Sequence, residues 1–348
     1  MFKLKIAFVG AGRIVEWCLN DAKLCKYKNQ IELIGIFNHH LDRAIEKQKK
    51  YKIKKTYANF NELLSDKQSY NLAYVGTNDQ THFAYVKQLL GHKINVFCEK
   101  PLALNYKDAK LLYGLAKKNK VLLFEGIKTG FSPAYKKVKK YISDGLLGEL
   151  CYVCSSHAKV STSKRMVPNP SPNDNVSGFH KAGAMYELFT TLDICGAPKT
   201  ITYMNESYPH NKALMTSILT MRHKNKCVST SFGSEKFSDN LQTKICGTKG
   251  VILLGGNIAK YHKDYKKDTA HFAYTYEIYD TQQNLIKKED CYIKTNGEGL
   301  IKEIEHVYEL LKHNKIQSDV VPPAMSLTII KIIELTNNTN DSKVIQYE

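Results

Sequence analysis

The chain has 348 residues, 43% hydrophobic and 24% charged, with a formal net charge of +18. That length carries a large core and suits two domains, and the composition excludes wholesale disorder. No apolar run approaches the roughly 18–20 residues of a membrane span, and Gly10-Ala11-Gly12-Arg13 interrupts the apolar N-terminal stretch too early for a signal peptide.

Nine cysteines, odd in number and scattered, suit reduced thiols, so a cytoplasmic protein is expected. Cys151 and Cys154 make one CxxC with no second CxxC or His pair, so two ordinary strand cysteines are expected and no metal. The positive charge is nearly all lysine, with arginine only at 13, 43, 165 and 222. Arginine is the better residue for bidentate base and phosphate readout, so nucleic acid is not the expected partner and an anionic small molecule suits the charge as well.

Residues 5–9 read as a short apolar strand, followed at once by Gly10-Ala11-Gly12-Arg13-Ile14-Val15 and a helical pattern to about residue 24. Strand, glycine loop and helix are the context of a dinucleotide fingerprint. Gly10 permits the tight turn and Gly12 lets backbone approach a pyrophosphate at the positive end of the helix, whereas Val15 takes the third glycine position. The second strand, 31–37, ends at Asn38, His39 and His40, where a carboxylate would grip a ribose hydroxyl pair. Asn38 can bond a hydroxyl, and His39, His40 and Arg43 tolerate a phosphate, which favours NADP over NAD.

Helices follow at 41–50 and from 60, then a buried strand at 72–75 ending in Gly76-Thr77-Asn78-Asp79-Gln80-Thr81-His82. Small and polar residues at that strand end belong to a ligand crevice. A helix at 83–90, a strand at 94–98, a helix at 106–117 and a strand at 121–125 complete a doubly wound Rossmann domain over 1–125. The strand at 94–98 runs into Glu99-Lys100-Pro101-Leu102; Pro101 keeps Lys100 extended, and a lysine held at the end of a buried strand is placed for chemistry.

Beyond residue 125 the rhythm changes. A helix is expected from Ser132-Pro133 to about 143, a strand at 149–157, a long loop at 166–175 and a helix at 182–195. Strand-like runs at 201–206, 214–222, 226–232, 243–245, 251–254, 274–279 and 291–295 suggest an antiparallel sheet, closed by helices at 297–311 and 324–335.

In these motifs the chain resembles the Gfo/Idh/MocA oxidoreductases, over essentially its full length. The carriers are Gly10–Ile14, Thr77–His82, Glu99-Lys100-Pro101-Leu102, Asp144-Gly-Leu-Leu-Gly-Glu149, Gly183-Ala-Met-Tyr-Glu187, Cys246-Gly-Thr-Lys-Gly250 and Gly297-Glu-Gly-Leu300. The resemblance implies an α/β fold: an N-terminal Rossmann domain and, over 126–348, a C-terminal α/β domain with a large, mostly antiparallel open sheet. The last helix, about 324–335, is expected to pack back on the first domain.

It implies an NAD(P)-dependent dehydrogenase acting on a sugar-like hydroxyl or ketone, and a homodimer or homotetramer. Gly10, Gly12, Arg13, Ile14, Asn38, His39, Arg43, Thr77, Asn78, His82 and Glu99 would hold the cofactor, and Lys100 would touch both nicotinamide ribose and substrate hydroxyl and help move its proton. The family's D-x-x-x-H (or Tyr) helix aligns Glu187 with the Asp and Thr191 with the His, and Thr191 does not titrate near neutral pH. Two readings follow: Lys100 works through a water or a tyrosine relay, with Tyr186 or His180 nearby, or ordinary dehydrogenase activity is lost. Lys128 offers a cation to the substrate where many relatives carry an arginine at the position of Gly130. The alternatives are a glycosidase that recycles bound NAD, and a catalytically weak cofactor-binding sensor or scaffold.

Overall fold

Short apolar runs alternating with amphipathic ones form, in turn, the strands and helices that their periods dictate. The structure is a computed structural model, and the residues described are 2–158, 160, 183–208, 213–239, 242–255, 272–295, 299–337 and 343–347. The chain divides into two units, Met1–Lys128 with Lys294–Ile330, and Thr129–Ile293 with Lys331–Glu348.

In chain order the elements are β1 (Leu4–Val9), α1 (Arg13–Ala22), β2 (Ile31–Phe37), α2 (Leu41–Tyr51), β3 (Lys55–Tyr57), α3 (Phe60–Ser65), β4 (Leu72–Val75) and α4 (Asp79–Gly91). Then come β5 (Val96–Glu99), α5 (Tyr106–Asn119), β6 (Leu123–Gly126), α6 (Pro133–Ser143), β7 (Leu150–Ala158), α7 (Met185–Cys195), β8 (Pro198–Ser207), β9 (Leu214–His223) and β10 (Val228–Ser234). The last are β11 (Gln242–Gly247), β12 (Gly250–Gly255), β13 (Thr275–Tyr279), β14 (Leu285–Asp290), α8 (Ile301–Lys312), α9 (Pro323–Thr336) and β15 (Lys343–Gln346).

The first unit carries a six-stranded sheet in the order β3-β2-β1-β4-β5-β6, every adjacent pair parallel. Strands β4, β5 and β6 are buried at every position, as a parallel sheet covered on both faces requires. Burying one side chain such as Phe97 or Phe124 stabilises by about 2–3 kcal/mol. The strand order reverses between β1 and β4, which fixes a crevice beyond their carboxyl ends. Helices α3 and α5 begin with side-chain caps, Asn59 accepting from the Glu62 N–H and Asn105 from the Asp108 N–H.

The second unit is built on a nine-stranded sheet, β14-β13-β12-β11-β7-β10-β9-β8-β15, in which β7 and β10 form the one parallel pair. Helix α7 packs on β7 and β10, and α6 on β12 and β13. Ser132 caps α6 through the Tyr135 N–H, with Pro133 in the first turn.

Strands β3 and β15 have no counterpart in the sequence expectation, and two further stretches differ from it. Residues 291–295 form no strand; the edge strand is Leu285–Asp290, started by a turn in which Asp280 Oδ1 accepts from the Gln282 and Asn284 N–H groups. That strand is exposed along most of its length, so no alternation of apolar residues marks it. Residues 79–82 belong to the first turn of α4 rather than to a loop. The loop expected at 166–175 lies outside the described residues. The nine cysteines are free thiols; Cys151 and Cys154 lie on β7, and no metal-holding cluster occurs among the described residues. No helix there is long and apolar enough to cross a membrane.

Candidate active site

The chain leaves β1 through Gly10, whose N–H donates to the Phe37 carbonyl at 2.8 Å. Its φ of +112° is open to glycine, and a Cβ would lie 2.6 Å from the Gly76 carbonyl oxygen, so only glycine closes this turn. Gly12 caps α1 with no side chain on the first N–H groups of the helix, and a Cβ there would meet nothing within 4 Å. Bare N–H groups beside open space fit the pyrophosphate of a dinucleotide. Val15 is fully buried, and a Cβ on Gly76 would touch its side chain; the valine fills by packing the position where the fingerprint has its third glycine.

Around this turn Arg13 is exposed with its guanidinium 5.0 Å from the Trp17 ring centre, and Ile14 is half-buried. Asn38, at the end of β2, is buried, and its Oδ1 accepts from the His40 N–H at 2.9 Å. His39, His40 and Arg43 are exposed beside it. Thr77 and Asn78 occupy the facing loop after β4, where Thr81 donates to the Thr77 hydroxyl at 2.8 Å.

Lys100 follows β5 and joins Pro101 through a cis peptide bond, and the peptide just after Pro101 is held at both its carbonyl and its N–H. The Pro101 carbonyl lies 2.8 Å from His82 Nδ1, and the Leu102 N–H donates to Glu125 Oε1 at 2.6 Å. Burial lowers the pKa of His82, so the neutral ring donates from Nδ1; this histidine, 1% exposed, fastens the turn. Lys100 itself is half-buried, and burial, opposed by Glu99 and helped by the Lys128 cation, brings its ammonium down to about 8. Glu99 accepts from the Tyr74 hydroxyl at 2.6 Å, and its own pKa is raised by burial against the pull of Tyr74, Lys100 and Lys128. Lys128 is buried, at the start of a short 3-10 turn.

The second unit holds a separate pocket lined by, among others, Ser155 and His157 of β7 and Tyr186, Glu187 and Thr190 of α7. Glu187 is 2% exposed, and neither carboxylate oxygen has a hydrogen-bond partner among the described residues. A charged carboxylate held this way costs several kcal/mol, on the order of that for any buried ion lacking donors. His157 of the same pocket places Nδ1 3.8 Å from Glu187 Oε1, with its ring near-parallel to Tyr186. Thr191 points elsewhere: it is fully buried, and its hydroxyl meets the Glu187 carbonyl at 3.0 Å and Ser231 Oγ at 3.1 Å.

Of the residues expected from sequence, the structure thus gathers Gly10, Gly12, Thr77 and Asn78 around one crevice, and Tyr186 and Glu187 in one pocket, with Thr191 outside that pocket's lining. The sequence reading missed Glu125, His157 and Glu303. Glu125 had a signal, an acid in an otherwise apolar parallel strand. Glu303 is 1% exposed on the inner side of α8, its pKa well above the usual carboxylate range through burial and the charge of Glu99, and an amphipathic helix gives no sign of that. His157 ends a strand whose alternating faces became visible only in the sheet.

Residues 4–127 match the model of the family described as "Oxidoreductase family, NAD-binding Rossmann fold". The chain is 24% identical over 323 residues to human trans-1,2-dihydrobenzene-1,2-diol dehydrogenase, covering 88% of each protein. It is 22% identical to the scyllo-inositol 2-dehydrogenase (NADP(+)) of Bacillus subtilis, covering 95% of each. Its fold is that of levoglucosan dehydrogenase solved with NADH and levoglucosan, at a TM-score of 0.80, 13% identity and 95% coverage of both chains. A Rossmann sheet with a bare glycine turn, a clamped Glu-Lys-Pro strand end and an open, mostly antiparallel second sheet accompany this likeness, and residues 4–127 match the NAD-binding Rossmann fold of that oxidoreductase family.

Proposed function

We propose that the protein is an NAD(P)-dependent dehydrogenase that moves a hydride between the nicotinamide and a CH–OH carbon of a sugar-like or polyol substrate. The observation that carries this reading is the fastened turn at Lys100, an ammonium brought down to about 8 beside a dinucleotide-type crevice. The relatives named for a diol and an inositol substrate support the substrate class. When bound, the nicotinamide accepts or supplies the hydride. The chain's own residues bind and orient: the α1 N-terminus and Gly12 take the pyrophosphate, Thr77 and Asn78 border the crevice, and Glu99 is held by Tyr74 for the nicotinamide riboside. Lys100 stands by the substrate oxygen as a cation, where it stabilises the negative charge that develops as the hydroxyl proton leaves.

NADP is the favoured cofactor in this reading, because Asn38 brings no carboxylate against a 2′-phosphate and His39 and Arg43 are exposed beside it. A homo-oligomer assembled through the open face of the nine-stranded sheet is supported by Ile218, Phe232 and Met204, which share that face, the last 62% exposed. The protein works in the cytoplasm on this reading, consistent with its nine free thiols.

The test is a panel of inositols, aldoses and trans-diols with NAD+ or NADP+, read at the nicotinamide absorbance. Net production of the reduced cofactor with at least one panel alcohol is expected, together with loss of turnover in Lys100→Met while cofactor binding is kept. Cofactor binding with no net reduction across the panel would instead favour the glycosidase or sensor readings.

A further inference from the structure

Within the second unit, Cys195 ends α7 and Cys227 sits in the hairpin between β9 and β10. They are 32 positions apart on the chain, yet their sulfurs lie 3.4 Å apart. Both are free thiols and both are buried, at 6% and 0% exposure. No motif in the sequence pairs them; the contact arises because α7 packs on β10.

The backbone beside each sulfur is fixed, and one histidine fixes both. His223, 1% exposed, donates from Nδ1 to the Gly196 carbonyl at 2.7 Å, just after Cys195, and its backbone N–H donates to the Cys227 carbonyl at 2.9 Å. Burial lowers the pKa of that imidazole, so the ring stays neutral and its Nε2 accepts from the Ser229 hydroxyl at 2.8 Å. The Cys227 N–H donates to Asn225 Oδ1 at 3.1 Å. The pair lies one residue inside two exposed turns, 196–197 after the helix and 224–226 in the hairpin.

The two thiols are not equivalent. The hydrogen bond that Cys195 donates draws the Cys227 thiol down, against burial, and the same bond, with burial, pushes the Cys195 thiol up. Cys227 is therefore the better nucleophile, because the thiolate attacks and the thiol does not.

We propose that Cys195 and Cys227 form a peroxide-responsive dithiol that closes into a disulfide between α7 and the β9–β10 hairpin. The Cys227 sulfur attacks one oxygen of hydrogen peroxide; the O–O bond breaks, Cys227 becomes a sulfenic acid, and the other oxygen leaves as water with the thiol proton. The Cys195 sulfur then attacks the Cys227 sulfur; the S–S bond forms, the S–O bond breaks, and the hydroxyl leaves as a second water with the Cys195 proton. The two sulfurs together lose two electrons and the peroxide gains them. The sulfurs need only close from 3.4 Å to the roughly 2.05 Å of a disulfide. A dithiol reductant reverses the step, which makes the bridge transient where thiols are otherwise kept free. The proposal stands whether or not the protein oxidises an alcohol.

The test is peptide mapping. Trypsin cuts after Lys199 and Lys226, so the two cysteines leave on separate peptides, 182–199 and 227–236, with no other cysteine on either. Reduced protein treated with a few equivalents of hydrogen peroxide, then alkylated and digested without reductant, should yield these peptides as one species, two hydrogens lighter than their sum. Dithiothreitol should split it. The melting temperature should rise by roughly 5–10 °C on oxidation and return with dithiothreitol, since the bond closes a loop of 32 positions. In Cys195→Ser, whose hydroxyl still donates, oxidation should stop at a sulfenic acid on Cys227, captured by dimedone as the protein is unfolded, with no rise in melting temperature. Both thiols still free after a peroxide dose that oxidises the exposed Cys151, or either one bridged to a different cysteine, overturns the proposal. An equal rise of melting temperature in Cys195→Ser overturns it too. The mapping uses the unaltered chain, so it decides the matter even if the variant fails to fold.

Discussion

Lys100 and Glu187 are both ionisable groups withdrawn from water, and the protein treats them in opposite ways. The backbone after Lys100 is tied twice, at Pro101 by His82 and at Leu102 by Glu125, and strand β5 ends at Glu99 just before it, so the lysine stem leaves from a fixed point. The Glu187 carboxylate is buried, and neither oxygen has a donor among the described residues. One turn is fastened by its own hydrogen bonds, and the other group keeps an unmet polar demand among the described residues. On the proposed function, preorganisation at Lys100 would lower the cost of binding, whereas unmet polarity at Glu187 would favour a ligand that donates a hydrogen bond.

The sharpest way to break that contrast is Lys100→Met. Turnover should fall by about 10³-fold, with cofactor affinity kept. In the wild type the rate of oxidation should fall as pH rises through about 8, where Lys100 sheds its proton, and this alkaline limb should be missing in the variant. The same lysine should cost stability. Its folded pKa of about 8 lies below the ordinary 10.5, so below about pH 8 both states carry the charge and the penalty is fully present. It is relieved as pH rises from about 8 toward 10.5, where the folded chain has lost the proton and the unfolded chain has not. Lys100→Met should therefore melt higher than wild type at about pH 7, by on the order of 2 kcal/mol after allowing for partial exposure, and the advantage should shrink near pH 10.

Glu125 measures how much the fastening itself is worth. Glu125→Ala orphans the Leu102 N–H and opens a cavity at a position 0% exposed, and should cost about 2–4 kcal/mol in denaturant unfolding. Glu125→Gln keeps an acceptor of the same shape and removes a carboxyl whose pKa burial already raises, so its stability should stay near wild type. If both variants lose kcat equally, the turn does not depend on that hydrogen bond.

The two glycines of the first loop separate folding from binding. Gly10→Ala forces a Cβ to 2.6 Å from the Gly76 carbonyl oxygen at a φ of +112°, and should lower stability and cofactor affinity together. Gly12→Ala meets nothing within 4 Å, so the protein should melt as wild type does while the methyl group fills the approach of the pyrophosphate. Calorimetry with either cofactor should show a roughly 10- to 100-fold weaker Kd for Gly12→Ala.

These contrasts also mark what the sequence could and could not say. The parallel sheet was legible because strands such as Leu72–Val75 are buried on both faces and read as unbroken apolar runs. Lys100 was legible because its neighbours on the chain, Glu99 and Pro101, are also its neighbours in the fold. Strand β14 was not, because Leu285–Asp290 lies at an edge and buries almost nothing. His157 was not, because its relation to Glu187 runs from a strand to a helix, and only sheet register decides which face a strand residue takes. Thr191 read as an active-site position by alignment, yet its hydroxyl is committed to its own helix and to Ser231 on β10. A helix pattern fixes which residues are near in sequence, and the rotation of the helix on its sheet fixes which of them face the ligand.

The smallest effect tests cofactor choice at the end of β2. Asn38 spends its Oδ1 on the His40 N–H at 2.9 Å, which fixes the direction of the loop and leaves the amide nitrogen for a ribose hydroxyl. Asn38→Asp keeps an acceptor for that N–H, so the loop should hold, while the new charge can accept two ribose hydroxyls and repels a 2′-phosphate. The ratio of NADP to NAD affinity should fall by about 10-fold, with kcat on the better cofactor little changed. Neutralising Arg43 by Arg43→Gln should lower the same ratio through loss of a phosphate partner, without the gain for NAD. If Asn38→Asp leaves the ratio where it was, the ribose does not reach Asn38 and the preference is set by another part of the crevice.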